Sequence, residues 1–501
     1  MSRNKGQVSK DTASASGIVV SANLLAKFID LTALIVLARL LTPADFGLVA
    51  MAMTLVLIVE KIFDVPLGTG IIRAKRASKI IFDTAFTLSL LRGALVALLI
   101  IILGYPVSAF YGDPRLINLF WALAFAPAIR GLVSPRSFLF QRRLDYRLSS
   151  TGDLIGKLVA FIVGVSVAFT TKSYWAIAIM TLLAPIILTS FSYIYAPYKP
   201  RLSLKSFDQF SDILGWSTLN QTLSAVNWQV DRLILGGYIP VGTFGKYTMA
   251  ATLASLPQQI LIAPILRPIN ASFAKLKDKK RLAEAYLKST QALMLIAMPV
   301  LIVTSIYAES IINLLFDKNW SEAIYILRYF CVIALIALPT HAYAPIAIVM
   351  RQLKTVSIAS SVELVIRVSI LIFAIKEYGI YGALTASAFA AACRLIIVAI
   401  LTKKMLATPI LTQISIHKRN LMNGILIACV ATTMQYFVIN DSWIALFLST
   451  AAGVALSFII YILTGYLFWR WDKKPAGPEE VIFGLGRLIM LKLFWQKTRK
   501  L

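Results

Sequence analysis

Ten basic side chains lie within stretches that are otherwise apolar: Lys27, Lys61, Arg92, Arg130, Arg136, Lys157, Arg232, Arg328, Arg367 and Arg394. At a bilayer centre each would cost about 2.5–3.5 kcal/mol on insertion scales, so they must face water, a partner or a ligand rather than lipid. Several have an acid on the same helical face. Lys27 and Asp30 are three residues apart, as are Lys61 and Asp64, while Asp153 and Lys157 are four apart, as are Glu363 and Arg367. These acids, with Asp231, are candidates for ion pairs or for coupling to an ion. Arg136, Arg328 and Arg394 lie nearer the ends of their stretches, where a long stem can snorkel. Arg92 and Arg130 have no acid within four residues and are the more telling cases.

Uncharged polar residues form a second pattern. Ser217, Asn220, Ser224, Asn227 and Asp231 follow a 3,4,3,4 spacing, one continuous stripe on an apolar helix. Asn23, Lys27 and Asp30 make a shorter stripe of 4,3 spacing, 197 residues before Asn220, Ser224 and Asn227. Two such stripes could line opposite walls of a central cavity, or could be hydrogen-bonding glue between helices. The chain has no phosphate-binding loop, metalloprotease helix or nucleophile elbow. Gly68-Thr69-Gly70 and Gly236-Gly237 read as helix breaks rather than nucleotide cradles. Cys331, Cys393 and Cys429 lie far apart in apolar runs, as small packing residues would, and His341 and His417 lack metal-ligand spacing. Neither a metal nor another cofactor is expected.

The elements that must carry these residues follow from composition. Of 501 residues 58% are hydrophobic and 15% charged, with mean hydropathy +0.78, against about 45–50% and about 25% in soluble chains. Apolar segments fall near 17–41, 46–72, 80–103, 115–140, 150–170, 174–196, 210–236, 242–266, 284–308, 324–349, 356–376, 380–402, 420–440 and 443–468. That predicts an all-α polytopic membrane protein with about 14 transmembrane helices, each long enough to cross about 30 Å of hydrocarbon. With the N-terminus cytoplasmic, the inner segments hold 34 Lys and Arg and the outer loops six. Such a bias sets both termini inside and accounts for most of the +27 net charge, which is a topology signal rather than a nucleic-acid surface.

The two halves resemble each other. Phe46-Gly47 and Ala52 find Phe244-Gly245 and Ala250 at an offset of 198, and Pro135, Asp153 and Lys157 find Pro345, Glu363 and Arg367 at an offset of 210. Six spans per copy give both the same orientation, hence parallel repeats about an axis along the membrane normal. The expected division is a cytoplasmic N-terminus over 1–16, an N-lobe of spans 1–6 over 17–200, a C-lobe of spans 7–12 over 201–402, two added spans over 403–468 and a cytoplasmic tail over 469–501. Val481, Leu485, Leu488, Ile489, Phe494 and Trp495 among basic residues suggest an interfacial helix in that tail.

The segment Ala38-Arg-Leu-Leu-Thr-Pro43-Ala-Asp-Phe-Gly47-Leu-Val-Ala-Met-Ala52 resembles the polysaccharide transporter family of bacterial flippases. Phe63-Asp-Val-Pro-Leu-Gly-Thr-Gly-Ile-Ile-Arg73, Phe140-Gln-Arg-Arg-Leu-Asp-Tyr-Arg147 and Val230-Asp-Arg-Leu-Ile-Leu-Gly236 extend the likeness, in order, over most of residues 10–470. It is greatest to the lipopolysaccharide, exopolysaccharide and colanic-acid exporter branch. The resemblance implies the fold of the multidrug/oligosaccharidyl-lipid/polysaccharide superfamily, two six-helix lobes around a central cavity. It also implies a substrate, an undecaprenyl-diphosphate-linked oligosaccharide carried to the periplasmic leaflet of the bacterial inner membrane. Lys27, Arg92, Arg130 and Arg367 would then attract the diphosphate, since a guanidinium fork suits paired phosphate oxygens. Asn23, Asn220, Ser224 and Asn227 would meet the sugars. The expected partners are this lipid-linked oligosaccharide, membrane lipids, and a polysaccharide polymerase and glycosyltransferases acting beside a monomeric transporter.

Two other functions compete. A cation-coupled multidrug exporter would carry unpaired acids deep in a lobe, whereas most deep acids here have a cation nearby. A membrane glycan polymerase or ligase needs a sizeable outer catalytic loop, and the longest outer loop runs only from 309 to 323.

Overall fold

The computed structural model describes residues 5–64, 67–73, 78–142, 145, 147–208, 210, 227–276, 278–439, 441–472 and 478–480. Every regular element among them is helical. Among the described residues eight helices are long and apolar enough to cross a membrane: Lys79–Tyr111, Arg147–Thr171, Trp175–Tyr195, Val241–Lys275, Lys279–Ile306, Ala323–Val349, Leu353–Leu406 and Trp443–Trp471. The chain divides into two compact units, Met1–Lys246 and Tyr247–Leu501. The interfacial helix expected after 480 lies outside the described residues.

The first unit contains α1 (Lys5–Leu40), α2 (Pro43–Ile62), α3 (Leu67–Arg73), α4 (Lys79–Tyr111), α5 (Arg115–Arg130), α6 (Phe138–Arg142), α7 (Arg147–Thr171) and α8 (Trp175–Tyr195). The motif around Thr42-Pro43-Ala44-Asp45 is a helix start. Thr42 Oγ1 accepts from the Asp45 amide at 3.3 Å, the Asp45 carboxylate accepts from the Thr42 amide at 3.0 Å, and Pro43 occupies the first turn, where its missing N–H costs nothing. The single span expected over 46–72 is interrupted: α2 stops at Ile62, and the short α3 follows. Gly68 and Gly70 lie within α3 against the rings of Phe138 and Phe210, so the break precedes them.

Small residues set the closest packing. Gly152, Gly156, Ala160, Gly164 and Ala168 recur every fourth residue on the buried face of α7. Gly152 lies against Phe191 and Gly164 against Met180 of α8, so the two helices approach as small-residue membrane interfaces do. At the other end of the unit Gly236 and Gly237 form a turn on which the rings of Tyr111 and Phe110 rest, and Tyr111 donates to the Leu233 carbonyl at 3.1 Å. Gly47 and Gly245, repeat mates in sequence, meet each other's segments. A Cβ on Gly47 would stand 1.9 Å from the Val241 carbonyl oxygen, and one on Gly245 would stand 1.9 Å from that of Pro43.

In the second unit Leu353–Leu406 spans 54 residues but is a hairpin, because Gly379 adopts φ 52° and ψ −126°. Ala374 and Gly382 touch across the turn, and Glu363 pairs with Arg394 further out, both couples straddling Gly379. Helices Lys418–Gln435 and Trp443–Trp471 are bonded to Lys279–Ile306. Asn420 donates to the Gln291 carbonyl at 3.0 Å, Tyr461 donates to the Leu295 carbonyl at 2.9 Å, and Asn423 donates to the Tyr461 carbonyl at 3.0 Å. The start of the tail is fixed as well. Buried Glu479 accepts from Gln291 Nε2 at 2.9 Å and pairs with Arg419 at 3.1 Å.

His417 precedes Lys418–Gln435 in the loop between spans, and burial pushes its imidazole from 6.5 down to about 4. A depressed base favours the neutral folded form, so its contribution is complete above about pH 6.5 and is lost as pH falls towards 4. By pH 5 the loss is about 2 kcal/mol. Melting of purified protein in detergent is therefore expected to drop between pH 7.5 and 5, and His417→Asn to flatten that drop. An equal drop in the variant would refute the assignment.

Candidate functional site

The premature end of α2 creates a polar cluster among apolar helices. A helix terminus leaves its last carbonyls without partners, and in a membrane water cannot be relied upon to satisfy them. Arg92, from α4, fills that role: Nε donates to the Phe63 carbonyl at 2.7 Å and Nη2 to the Glu60 carbonyl at 3.3 Å. The same guanidinium lies 3.2 Å from Asp64, which also holds Lys61 at 3.1 Å. Arg130, at the last turn of α5, pairs with the Glu60 carboxylate at 3.1 Å. The acids that Arg92 and Arg130 lack on their own helices are thus supplied by α2 and the residues just after it.

Two Arg-Gly pairs allow this convergence. A Cβ on Gly93 would come within 2.8 Å of the Pro127 carbonyl oxygen, and one on Gly131 within 2.7 Å of that of Ser89, so α4 and α5 approach closely beside the arginines. Glu60, Ser89, Arg92, Gly93, Val96, Pro127, Arg130 and Gly131 enclose a cavity of about 70 Å³. That volume holds a few waters, not a glycan. Arg92 has three of its donor contacts committed to protein groups. Arg130 has one ion-pair partner and a side chain 44% exposed, which leaves guanidinium edge for an anion.

The remaining predicted residues distribute as follows. Lys157 reaches across from α7 to Asp30 of α1 at 2.8 Å, rather than back to Asp153. Glu363 takes Arg394, not Arg367, as its ion-pair partner, so Arg394 is held within the hairpin instead of snorkelling. Arg328 lies 3.8 Å from Glu309 and against the Tyr325 ring, and Arg136 donates to the Pro197 carbonyl at 2.9 Å. Lys27 is exposed on α1 and has a polar partner; Asp153 and Arg367 are partly buried. Asn227 and Asp231 are partly buried, and Arg232 stacks over Trp228 at 5.7 Å. Ser217, Asn220 and Ser224, as well as the side chain of Asn23, lie outside the described residues. Among the described residues no group of three or more His, Cys, Asp or Glu is placed to hold a metal.

Sequence spacing missed Glu60, although it stands only four residues before Asp64, the separation of one helical turn. It also missed a couple in the second unit, where the Gln258 amide meets His341.

Long apolar helices, ion pairs between them and capped helix breaks define a multi-pass, all-helical membrane protein. Residues 36–325 match the family described as polysaccharide biosynthesis protein. The chain belongs to that family. It is 22% identical over 452 residues to the succinoglycan biosynthesis transport protein ExoT of Rhizobium meliloti (strain 1021), covering 86% of this chain and 88% of that one. It is 23% identical over 319 residues to the lipopolysaccharide biosynthesis protein WzxC of Escherichia coli (strain K12), covering 62% and 64%. Among solved structures it resembles the lipid II flippase MurJ in an inward closed conformation, with TM-score 0.71, 14% identity and coverage of 90% and 98%. An inward-facing multidrug resistance transporter of the MATE family and MOP superfamily matches with TM-score 0.54, 13% identity and coverage of 78% and 98%. These likenesses fix the fold.

Proposed function

We propose that this transporter moves an undecaprenyl-diphosphate-linked oligosaccharide from the cytoplasmic to the periplasmic leaflet of a bacterial inner membrane by alternating access. The observation that carries the reading is Arg130, a half-exposed intramembrane arginine held by a single carboxylate at the edge of a small polar cavity, in a chain of the polysaccharide biosynthesis family. A diphosphate can take the free edge of such a guanidinium. In this reading Arg130, Lys27 and Arg367 attract the diphosphate, Arg92 positions the end of α2, and Asn23, Asn220, Ser224 and Asn227 meet sugars. Fourteen spans, two six-helix lobes over 17–200 and 201–402, added spans over 403–468 and cytoplasmic termini complete the proposed architecture. The reciprocal contact of Gly47 and Gly245 supports the repeat.

Reconstituted vesicles test it directly. A fluorescent undecaprenyl-diphosphate oligosaccharide placed in one leaflet is expected to become accessible to a membrane-impermeant quencher at the other only when the protein is present. Translocation of a cationic dye with no movement of the glycan lipid would instead establish a multidrug exporter.

A further inference from the structure

Glu60 and Gln258 are 198 residues apart, the offset that relates Phe46-Gly47 to Phe244-Gly245. Arg130 and His341 are 211 apart, one residue from the offset that relates Pro135 to Pro345. In each unit the two members meet, Glu60 with Arg130 and Gln258 with His341. The second couple is thus the counterpart of the first, with the carboxylate replaced by an amide and the guanidinium by an imidazole. A guanidinium is always charged, whereas an imidazole gains and loses a proton near physiological pH.

We propose that His341 is a proton-binding site that couples proton movement to the transport cycle, a role that rests on the transporter reading above. His341 Nδ1 lies 3.1 Å from the Ala337 carbonyl oxygen and 3.2 Å from that of Leu338, so it donates to them and carries the ring hydrogen. Nε2 then presents its lone pair, and the Gln258 amide N–H donates to it. A proton arriving at Nε2 makes that atom a donor. The Gln258 N–H now opposes another donor, and the amide must turn its oxygen to the ring or withdraw.

Both residues sit where helical geometry is already irregular. Gln258 opens a π turn over Gln258–Ile262, and His341 lies in a 3-10 stretch over Leu338–Ala342. Such turns mark functional sites and hinges. The charge that acts on His341 comes from the hairpin: Arg394, itself paired with Glu363. The tyrosines in the core around this stretch are bonded elsewhere: the Tyr286 hydroxyl accepts from Thr402 at 3.4 Å, and the Tyr343 hydroxyl donates to Thr355 at 2.6 Å. Gln259, beside Gln258, donates to Ser255 at 3.0 Å.

The chain has two histidines, so His417→Asn leaves a single ring to follow by NMR with labelled histidine in lipid nanodiscs. The His341 ring is expected to titrate, with a midpoint displaced by Gln258→Leu. A ring that does not titrate, or whose midpoint ignores that substitution, overturns the site. In vesicles, a gradient of about one pH unit is expected to change the wild-type flipping rate several-fold, towards the tenfold limit that a tenfold proton ratio allows. In His341→Gln the ratio of rates with and without the gradient is expected to fall to one; a wild-type ratio in that variant overturns the coupling. If wild type moves no glycan lipid, the transport reading fails, while the titration still decides the proton site.

Discussion

Arg130→Ala is expected to abolish surface polysaccharide in a complementation assay while the protein still inserts at normal levels. Arg92→Ala is expected to do so too, by a different route. Arg92 bonds two carbonyls at the broken end of α2 and pairs with Asp64, so its removal strands both carbonyls and leaves Asp64 with Lys61 alone. Each group left unsatisfied costs about 1–3 kcal/mol, which predicts a lowered melting temperature in detergent together with loss of transport. Arg130 has the Glu60 carboxylate as its ion-pair partner and is half exposed, so its removal should spare melting more than transport. Combining Arg130→Ala with Glu60→Gln separates the two roles. If Arg130 only neutralises Glu60, the double variant recovers polymer; if it holds an anionic ligand, no recovery follows. The ligand role predicts no recovery, with Arg130→Lys retaining partial activity because an ammonium keeps the charge but loses the fork. Wild-type polymer in both single alanine variants would sink the assignment.

The ion pairs mark the boundary of what residue spacing can reveal. Lys61 and Asp64 were legible because they lie three apart on one helix, and the structure joins them. Asp153 with Lys157 and Glu363 with Arg367 had equally good spacing, yet Lys157 goes to Asp30 and Glu363 to Arg394. A pair within one helix gains a few tenths of a kcal/mol. A charge in the membrane is worth several, so the nearest acid on a neighbouring helix wins whenever packing brings it close. Arg92 and Arg130 looked unpartnered for the same reason: their partners are 28 and 70 residues away in sequence.

Helical class and membrane character were written in composition and hydropathy, because the bilayer penalises every exposed backbone group and leaves few solutions. The interruption of α2 was not. Residues 46–72 are mostly apolar, with Glu60, Lys61, Asp64 and Pro66 near the break, and the carbonyls left at the end of the helix are capped by Arg92, 30 positions beyond Ile62. The hairpin at Gly379 was legible as a gap between two apolar runs, since a positive φ is natural only for glycine. The small residues of α7 recur every fourth position, and only the partner helix shows that they form an interface.

Gly47→Ala and Gly245→Ala are each expected to reduce transport about tenfold or more, and Gly242→Ala to leave it near wild type. A Cβ at either of the first two positions would lie 1.9 Å from a backbone oxygen, and backbone cannot rotate aside as a side chain can. At Gly242 the nearest atom is 3.9 Å away, an ordinary contact. The first two substitutions force the crossing of α2 with the helix Val241–Pro257 apart, and overpacking of this kind costs about 1–3 kcal/mol. In a protein that must visit this crossing during its cycle, 1.4 kcal/mol is about a tenfold change in its population. The contact is reciprocal: Gly47 meets Val241, Gly245 meets Pro43, and each glycine and each carbonyl has its mate 198 positions away. A self-complementary contact requires the same small residue twice, as in a two-fold dimer. Because either methyl already opens the crossing, the double variant should lose less than the sum of the singles. Full transport in both single variants would mean the crossing is not used, and strict additivity would mean that the two glycines do not share it.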